Sequence, residues 1–203
     1  MAMSTYDELK ASIAGWLDRE TLTTEIEDFI VLAEGEFNRE LRTNDMEYRA
    51  TTSTTAGTSF YDYPTDAITI TNIQLNTDPK ALLKRFSKDQ LDLHYATGTG
   101  QPEAFTINAN QIELGPTPDS NYEIEVSFIK EIPSLSTTQT SNWLLEQDPD
   151  LYLSMALKYG FEYIKDYEAS DRWASRAGAK IENIKEMDTK DEWSTGPLTM
   201  TSA

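Results

Sequence analysis

The chain has 203 residues and no cysteine, with 35 acidic against 17 basic side chains and a formal net charge of −18 at pH 7. The missing cysteine excludes disulfides and thiolate metal sites without deciding the redox compartment, and the charge argues against wrapping nucleic acid or adsorbing to anionic membranes, both of which use clustered Lys and Arg. A 38% hydrophobic share with four Trp, ten Tyr and seven Phe suffices for a real core in one large domain or two small ones, and no apolar run approaches the eighteen or so residues of a membrane span. Residues 1–10 lack the apolar core of a signal peptide, so synthesis in a cytoplasm is expected.

Ser4 reads as an N-cap, with Asp7 and Glu8 in the first turn. Tyr6, Leu9, Ile13, Trp16 and Leu17 recur at helical spacing and predict a helix over 5–18. Thr24 and Glu27 read as a capping box. Ile26, Phe29, Ile30, Ala33, Phe37 and Leu41 share a stripe in a helix over 24–43, with Glu25, Asp28, Glu36 and Glu40 facing away.

From Met46 the period changes and β-branched residues dominate. Strands are expected over 47–52, 59–63, 67–75, 81–86, 104–108, 111–114 and 122–130. Ile68 and Ile70 are out of phase with Ile73 and Leu75, which predicts a bulge or a break. Ala109-Asn110 marks a hairpin turn, Ser87 opens a short helix to Tyr95, and residues 98–102 read as a loop. Residues 133–142, rich in Ser and Thr, read as a linker.

Asp148 as N-cap and Pro149 at the first position predict a helix over 149–166. It is apolar nearly all round (Leu151, Leu153, Met155, Ala156, Leu157, Tyr159, Phe161), so other elements must cover it. A further helix over 168–191 carries Trp173, Ala177, Ile181, Ile184 and Met187 as its stripe. Residues 192–203 form a tail whose Trp193, Pro197, Leu198 and Met200 have no local core to join, which marks them as candidate anchors into a partner or a neighbouring copy. The economical fold is α+β: a four-helix bundle built from 1–45 and 141–191, with 46–140 inserted as an antiparallel β-rich domain.

Catalytic chemistry is not evident. His94 is the single histidine and reads as a surface or packing residue. Gly98-Thr99-Gly100 lacks the lysine and the strand–loop–helix setting of a phosphate loop. Paired carboxylates, Asp148 with Asp150 or Glu123 with Glu125, are the one enzymatic option. Helix-cap positions explain the first pair and a solvent-facing strand the second. No metal, cofactor or catalytic residue is expected.

The order of several short motifs resembles the adaptor, or head-to-tail connector, proteins of tailed phages, close to the short-tailed type. The carriers are Tyr6-Asp7-Glu8-Leu9-Lys10 with Trp16, Leu17 and Asp18; Asp28-Phe29-Ile30; Asn38-Arg39-Glu40-Leu41-Arg42; and Tyr63-Pro64. Further along come Gly100-Gln101-Pro102, Ile132-Pro133, Asn142-Trp143-Leu144-Leu145, Pro149-Asp150-Leu151-Tyr152 and Trp193-Ser194-Thr195-Gly196-Pro197-Leu198. The resemblance implies a structural virion protein of the neck, made in the host cytoplasm. It implies a homo-oligomeric ring of twelve copies beneath the portal protein, a platform for a tail or nozzle protein, and DNA passing through without specific binding. On that reading Glu25, Asp28, Glu36 and Glu40 are candidates for an acidic channel wall, whereas the plain reading of the acidity is a solubility surface. The alternatives are a carboxylate-dependent glycan hydrolase or a tail adhesin module.

Overall fold

The computed structural model describes residues 3–19 and 21–194, with side chains described up to Thr189. The chain divides into two compact units, Met1–Asp45 with Ile132–Ala203, and Met46–Glu131. The fold is mixed α+β. Its helices are α1 (Tyr6–Leu17), α2 (Thr23–Glu40), α3 (Lys88–Tyr95), α4 (Trp143–Gln147), α5 (Pro149–Tyr163) and α6 (Tyr167–Ser194). Its strands are β1 (Glu47–Ser53), β2 (Phe60–Asp62), β3 (Ala67–Leu75), β4 (Ala81–Leu82), β5 (Lys84–Arg85), β6 (Thr99–Gly100), β7 (Ala104–Asn108), β8 (Gln111–Gly115), β9 (Thr117–Pro118) and β10 (Glu123–Lys130).

In the helical unit α1 is capped by Thr5, one residue after the expected Ser4. The Glu8 N–H donates to Thr5 Oγ1 and the Glu8 carboxylate accepts the Thr5 N–H, a complete capping box. The box expected at Thr24 and Glu27 is absent: Leu22 holds the cap position without a side-chain bond and the helix opens at Thr23. The helix also stops at Glu40, short of 43, because Leu41 turns extended (φ −89°, ψ 139°) and is fully buried. Asp148 likewise makes no cap bond, and Pro149 opens α5 as expected.

Seven consecutive residues of α5, Leu151 to Leu157, are buried, so no face of that stretch meets solvent. Helices α1, α2 and α6 pack against it. Gly160 permits the approach of α1, since a Cβ there would sit 2.8 Å from Leu17 Cδ1. Lys165, in the left-handed region at φ 65°, reverses the chain between α5 and α6. The pair runs antiparallel, with Ser170 Oγ donating to the Lys158 carbonyl and Lys180 Nζ 2.6 Å from Asp150 Oδ2. Along α6, Ala177 and Ile181 are buried and Trp173 and Ile184 half-buried, but Met187 is 66% exposed. The stripe fades because α6 is about 42 Å long against about 22 Å for α5, so its last turns outrun their cover.

In the β unit two four-stranded sheets, ordered β1-β10-β3-β4 and β2-β8-β7-β5, share one core. Ile70, Ile73 and Leu75 meet Ile124, Val126 and Phe128 from the first sheet, with Phe105, Ile112 and Leu114 from the second. The phase break in β3 is a bulge. Ser127 pairs with Asn72 and Phe128 with Ile70, so Thr71 is left over and both Ile70 and Ile73 point inward. The single strand expected over 81–86 is two. β4 pairs with β3 and β5 with β7, and buried Leu83 carries the chain from one sheet to the other. The loop at 98–102 contains β6, which runs parallel to β9. Ser87 and Gln90 form the capping box of α3, and Ala109 takes φ 52° in the β7–β8 hairpin.

Residues 133–142, with Ile132 before them, are not a loose linker. Ile132 and Leu135 are 2% and 6% exposed, and this stretch belongs to the helical unit. In the core of that unit the Phe37 ring lies 4.9 Å from Tyr152, edge to face, and is fully buried. Phe37→Ala should therefore destabilise the protein by about 3–5 kcal/mol, measured by urea unfolding, whereas exposed Leu32→Ala should change it by less than about 0.5 kcal/mol.

Candidate interaction surfaces

The most organised polar site lies where the chain re-enters the helical unit. Glu34, on the buried stripe of α2, is 3% exposed. Its Oε1 accepts the Leu135 N–H at 2.8 Å and lies 3.4 Å from the Tyr152 hydroxyl of α5. Asn142 Nδ2 lies 2.7 Å from both the Tyr152 hydroxyl and the Pro133 carbonyl, while its Oδ1 caps α4 by accepting the Leu145 N–H. One turn along α2, Asn38 Oδ1 accepts the Ile132 N–H at 2.9 Å. The Tyr6 N–H donates to the Thr140 carbonyl and ties the far end of the strap to α1. Burial raises the Glu34 carboxyl above its ordinary value, against the lowering effect of its hydrogen bonds, and burial also raises the Tyr152 hydroxyl. This network holds structure together and presents nothing to a substrate. It was not legible in the sequence, where Glu34 counts as one more acid on a helix.

The acids singled out on α2 fall in different settings. Asp28 is exposed and Glu25 half-buried. Glu36 accepts from the Tyr159 hydroxyl at 2.7 Å and pairs with Arg39 and Lys158 at 3.3 and 3.7 Å. The tyrosine bond, foremost, holds its carboxyl below the usual glutamate range. Glu40 pairs with Lys185 of α6 at 3.2 Å. Among the expected tail anchors, the side chain of Trp193 and the whole of Pro197, Leu198 and Met200 lie outside the described residues.

The carboxylate pairs considered for catalysis are tied into ion pairs and amide contacts. Asp148 and Asp150 share Lys180, Glu123 binds Asn76, and Glu125 accepts from Gln74 near Arg49 and Lys80. His94 is exposed, its ring 5.5 Å from Phe86. Among the described residues no group of three or more His, Asp or Glu side chains is placed to hold a metal ion, and no helix is long and apolar enough to cross a membrane.

What the helical unit does offer is exposed apolar surface. Val31 and Leu32 stand 62% and 49% exposed beside Asp28 on α2. Trp16, 56% exposed, packs edge-on against Trp173 and walls a shallow groove of about 550 Å³ along α1 with Ala11 and Gly15.

The family profile for the SU10 adaptor protein matches residues 4–201, nearly the entire chain. The chain belongs to the SU10 adaptor family. The resemblance to phage head-to-tail adaptors read from its short motifs holds, and membership makes it a phage structural protein, a virion component that works by contact with other virion proteins. No curated protein matches the chain in sequence.

The Glu34 site of this adaptor yields a pH prediction. An acid whose folded pKa lies above its unfolded value contributes stability at low pH that is lost as pH rises through the folded pKa. Glu34→Gln keeps an acceptor for the Leu135 N–H and removes the titration. The stability of the wild type minus that of Glu34→Gln should therefore fall as pH rises from the ordinary glutamate value of 4.5 toward neutrality, measured by urea unfolding across that range. A difference that is flat or rises with pH contradicts the buried-carboxylate account.

Proposed function

We propose that this adaptor is the repeating subunit of a neck ring of twelve copies that binds the portal protein, gives a tail or nozzle protein its platform, and lets DNA pass through its centre. The observation that carries this is the family match running from residue 4 to 201, which spans both units. The exposed Trp16 groove and the Val31–Leu32 pair on the helical unit support contacts between copies. In this reading α1, α2, α5 and α6 form a four-helix bundle that makes the ring, and residues 46–131 are a separately folding insert. Glu25, Asp28, Glu36 and Glu40 lie toward the channel, where exposed Asp28 supplies the like charge that repels DNA phosphates over the ~8 Å Debye length at physiological salt, while Glu36 and Glu40 are offset by Lys158, Arg39 and Lys185.

The segment from Glu192 onward anchors each copy through Trp193, Pro197, Leu198 and Met200. An aromatic anchor contributes on the order of 2 kcal/mol, and repetition around a ring multiplies it by avidity. Native mass spectrometry of the purified protein with and without portal should show a closed ring and its portal complex. A chain ended after Lys190 should keep its fold and lose at least tenfold in portal affinity. Undiminished attachment of the shortened chain would move the interface onto the helical unit, and a strictly monomeric protein with portal present would contradict the ring. Salt-sensitive, tight DNA retention by the ring would contradict the acidic channel.

A further inference from the structure

We infer that the outer edge of β1 takes residues 198–203 of a neighbouring copy as an added strand. β1 is one edge of the sheet β1-β10-β3-β4, and no other strand of the described residues lies beside it. The remaining edges of the two four-stranded sheets are short: β4 and β5 have two residues each and β2 has three. Short edges are a common defence against unwanted pairing. β1 lacks that defence. It runs for seven residues without a proline, and its register with β10 is unbroken from Glu47–Ile129 to Ser53–Glu123.

The Thr54 N–H donates to the Tyr122 carbonyl at 2.8 Å, which continues that register by one pair. Backbone groups of an antiparallel strand alternate sides. Thr52, Ala50 and Tyr48 therefore turn theirs toward β10, and Ser53, Thr51 and Arg49 turn theirs outward. The side chains add a shelf beside this open edge. Tyr48, Ala50 and Thr52 stand opposite Phe128, Val126 and Ile124, three buried members of the core, so they lie on the core side of the sheet. All three are nevertheless exposed, Tyr48 by 53%, because the second sheet does not reach over β1.

An extended segment laid along this edge gains main-chain hydrogen bonds from Arg49, Thr51 and Ser53 and sets alternate side chains on the shelf. Residues 195–203, which lie outside the described residues, carry the matching pattern in sequence: Leu198 and Met200 alternate with Thr199 and Thr201, and Pro197 stands just before them. Six residues extend about 20 Å, against about 23 Å for β1. No residue from 195 to 203 is charged, so two copies of net charge −18 can touch there without setting like charges together. A strand passed from one copy to the next joins two different surfaces, the head-to-tail kind of contact that can close a ring. This contact rests on the proposed anchoring role of the segment from Glu192 onward and names what that segment holds. Weaker portal binding by the shortened chain then follows from loss of the closed ring's avidity.

The test is amide hydrogen exchange on the full chain, once as single copies at low concentration and once assembled, with portal added, as judged by native mass spectrometry. On assembly the N–H groups of Arg49, Thr51 and Ser53 should slow at least tenfold, while those of Ala50 and Thr52 keep the protection β10 already gives them. Ending the chain after Ser194 should abolish the added protection. Thr51→Pro removes one outward donor and spares the β10 ladder, so circular dichroism should be unchanged while assembly weakens at least fivefold; Thr51→Val keeps the donor and should assemble as the wild type does. Equal protection in single copies would seat each chain's own residues on its own edge and overturn the inference. Protection that survives loss of residues 195–203 would give the edge to another segment or to portal, and unprotected outward amides in the assembled protein would leave it empty; either overturns it. In both of these cases, loss of portal affinity on truncation would leave the anchor reading standing. A chain that stays monomeric with portal present contradicts both.

Discussion

A carboxylate buried where the chain returns from its β unit is the constraint on which the helical unit depends. Glu34 stands on the inward face of α2, where an aliphatic side chain would cost nothing in desolvation. The strap from Ile132 to Asn142 brings backbone groups into the same interior, and these need partners. Glu34 takes the Leu135 N–H, Asn38 takes the Ile132 N–H, and Asn142 takes the Leu145 N–H while reaching the Pro133 carbonyl and Tyr152. With those groups satisfied, Ile132, Leu135, Leu144 and Leu145 can be buried, and α5 starts directly after them. The polar latch thus determines where the most buried helix of the protein begins.

Much of the fold was legible because periodicity reports burial. The stripe of α1, the all-round apolar character of α5, the alternation of Ile124, Val126 and Phe128, and the phase break that becomes the Thr71 bulge all follow from which side chains must leave water. What escaped was set by tertiary contacts. Leu83 moves between two sheets, so one apparent strand becomes two. Residues 133–142 look like a polar linker by composition, yet the Leu135 N–H, like that of Ile132 just before them, bonds to a side chain about a hundred residues away in sequence. The short helix α4 was missed because a five-residue element shows no period, although Asn142 before an apolar run was a usable cap signal. Caps were misplaced where neighbouring residues, Ser4 and Thr5, offer the same chemistry.

Function was legible in a different way. Neither titratable residues nor motif spacing pointed to a reaction, and the carboxylate pairs turn out to be engaged with Lys, Arg, Asn and Gln partners. The order of short motifs along the chain carried the identification, and the family match over residues 4–201 agrees with it. An adaptor works through surfaces, and the surfaces here mix exposed aromatic and aliphatic side chains with a strong acidic excess. The acidic residues are not one undifferentiated field. Glu34 is internal, Glu36 and Glu40 are neutralised by basic neighbours, and Asp28 stands in solvent.

Amide hydrogen exchange at Ile132, Leu135 and Leu145 tests the latch most directly. If Glu34, Asn38 and Asn142 hold the strap as part of the core, these three amides exchange only through opening of the whole helical unit, with the same protection free energy as the Leu153–Leu157 stretch of α5. Fast exchange at Ile132 and Leu135, as in an exposed Ser/Thr-rich loop, beside a protected α5 would contradict the account.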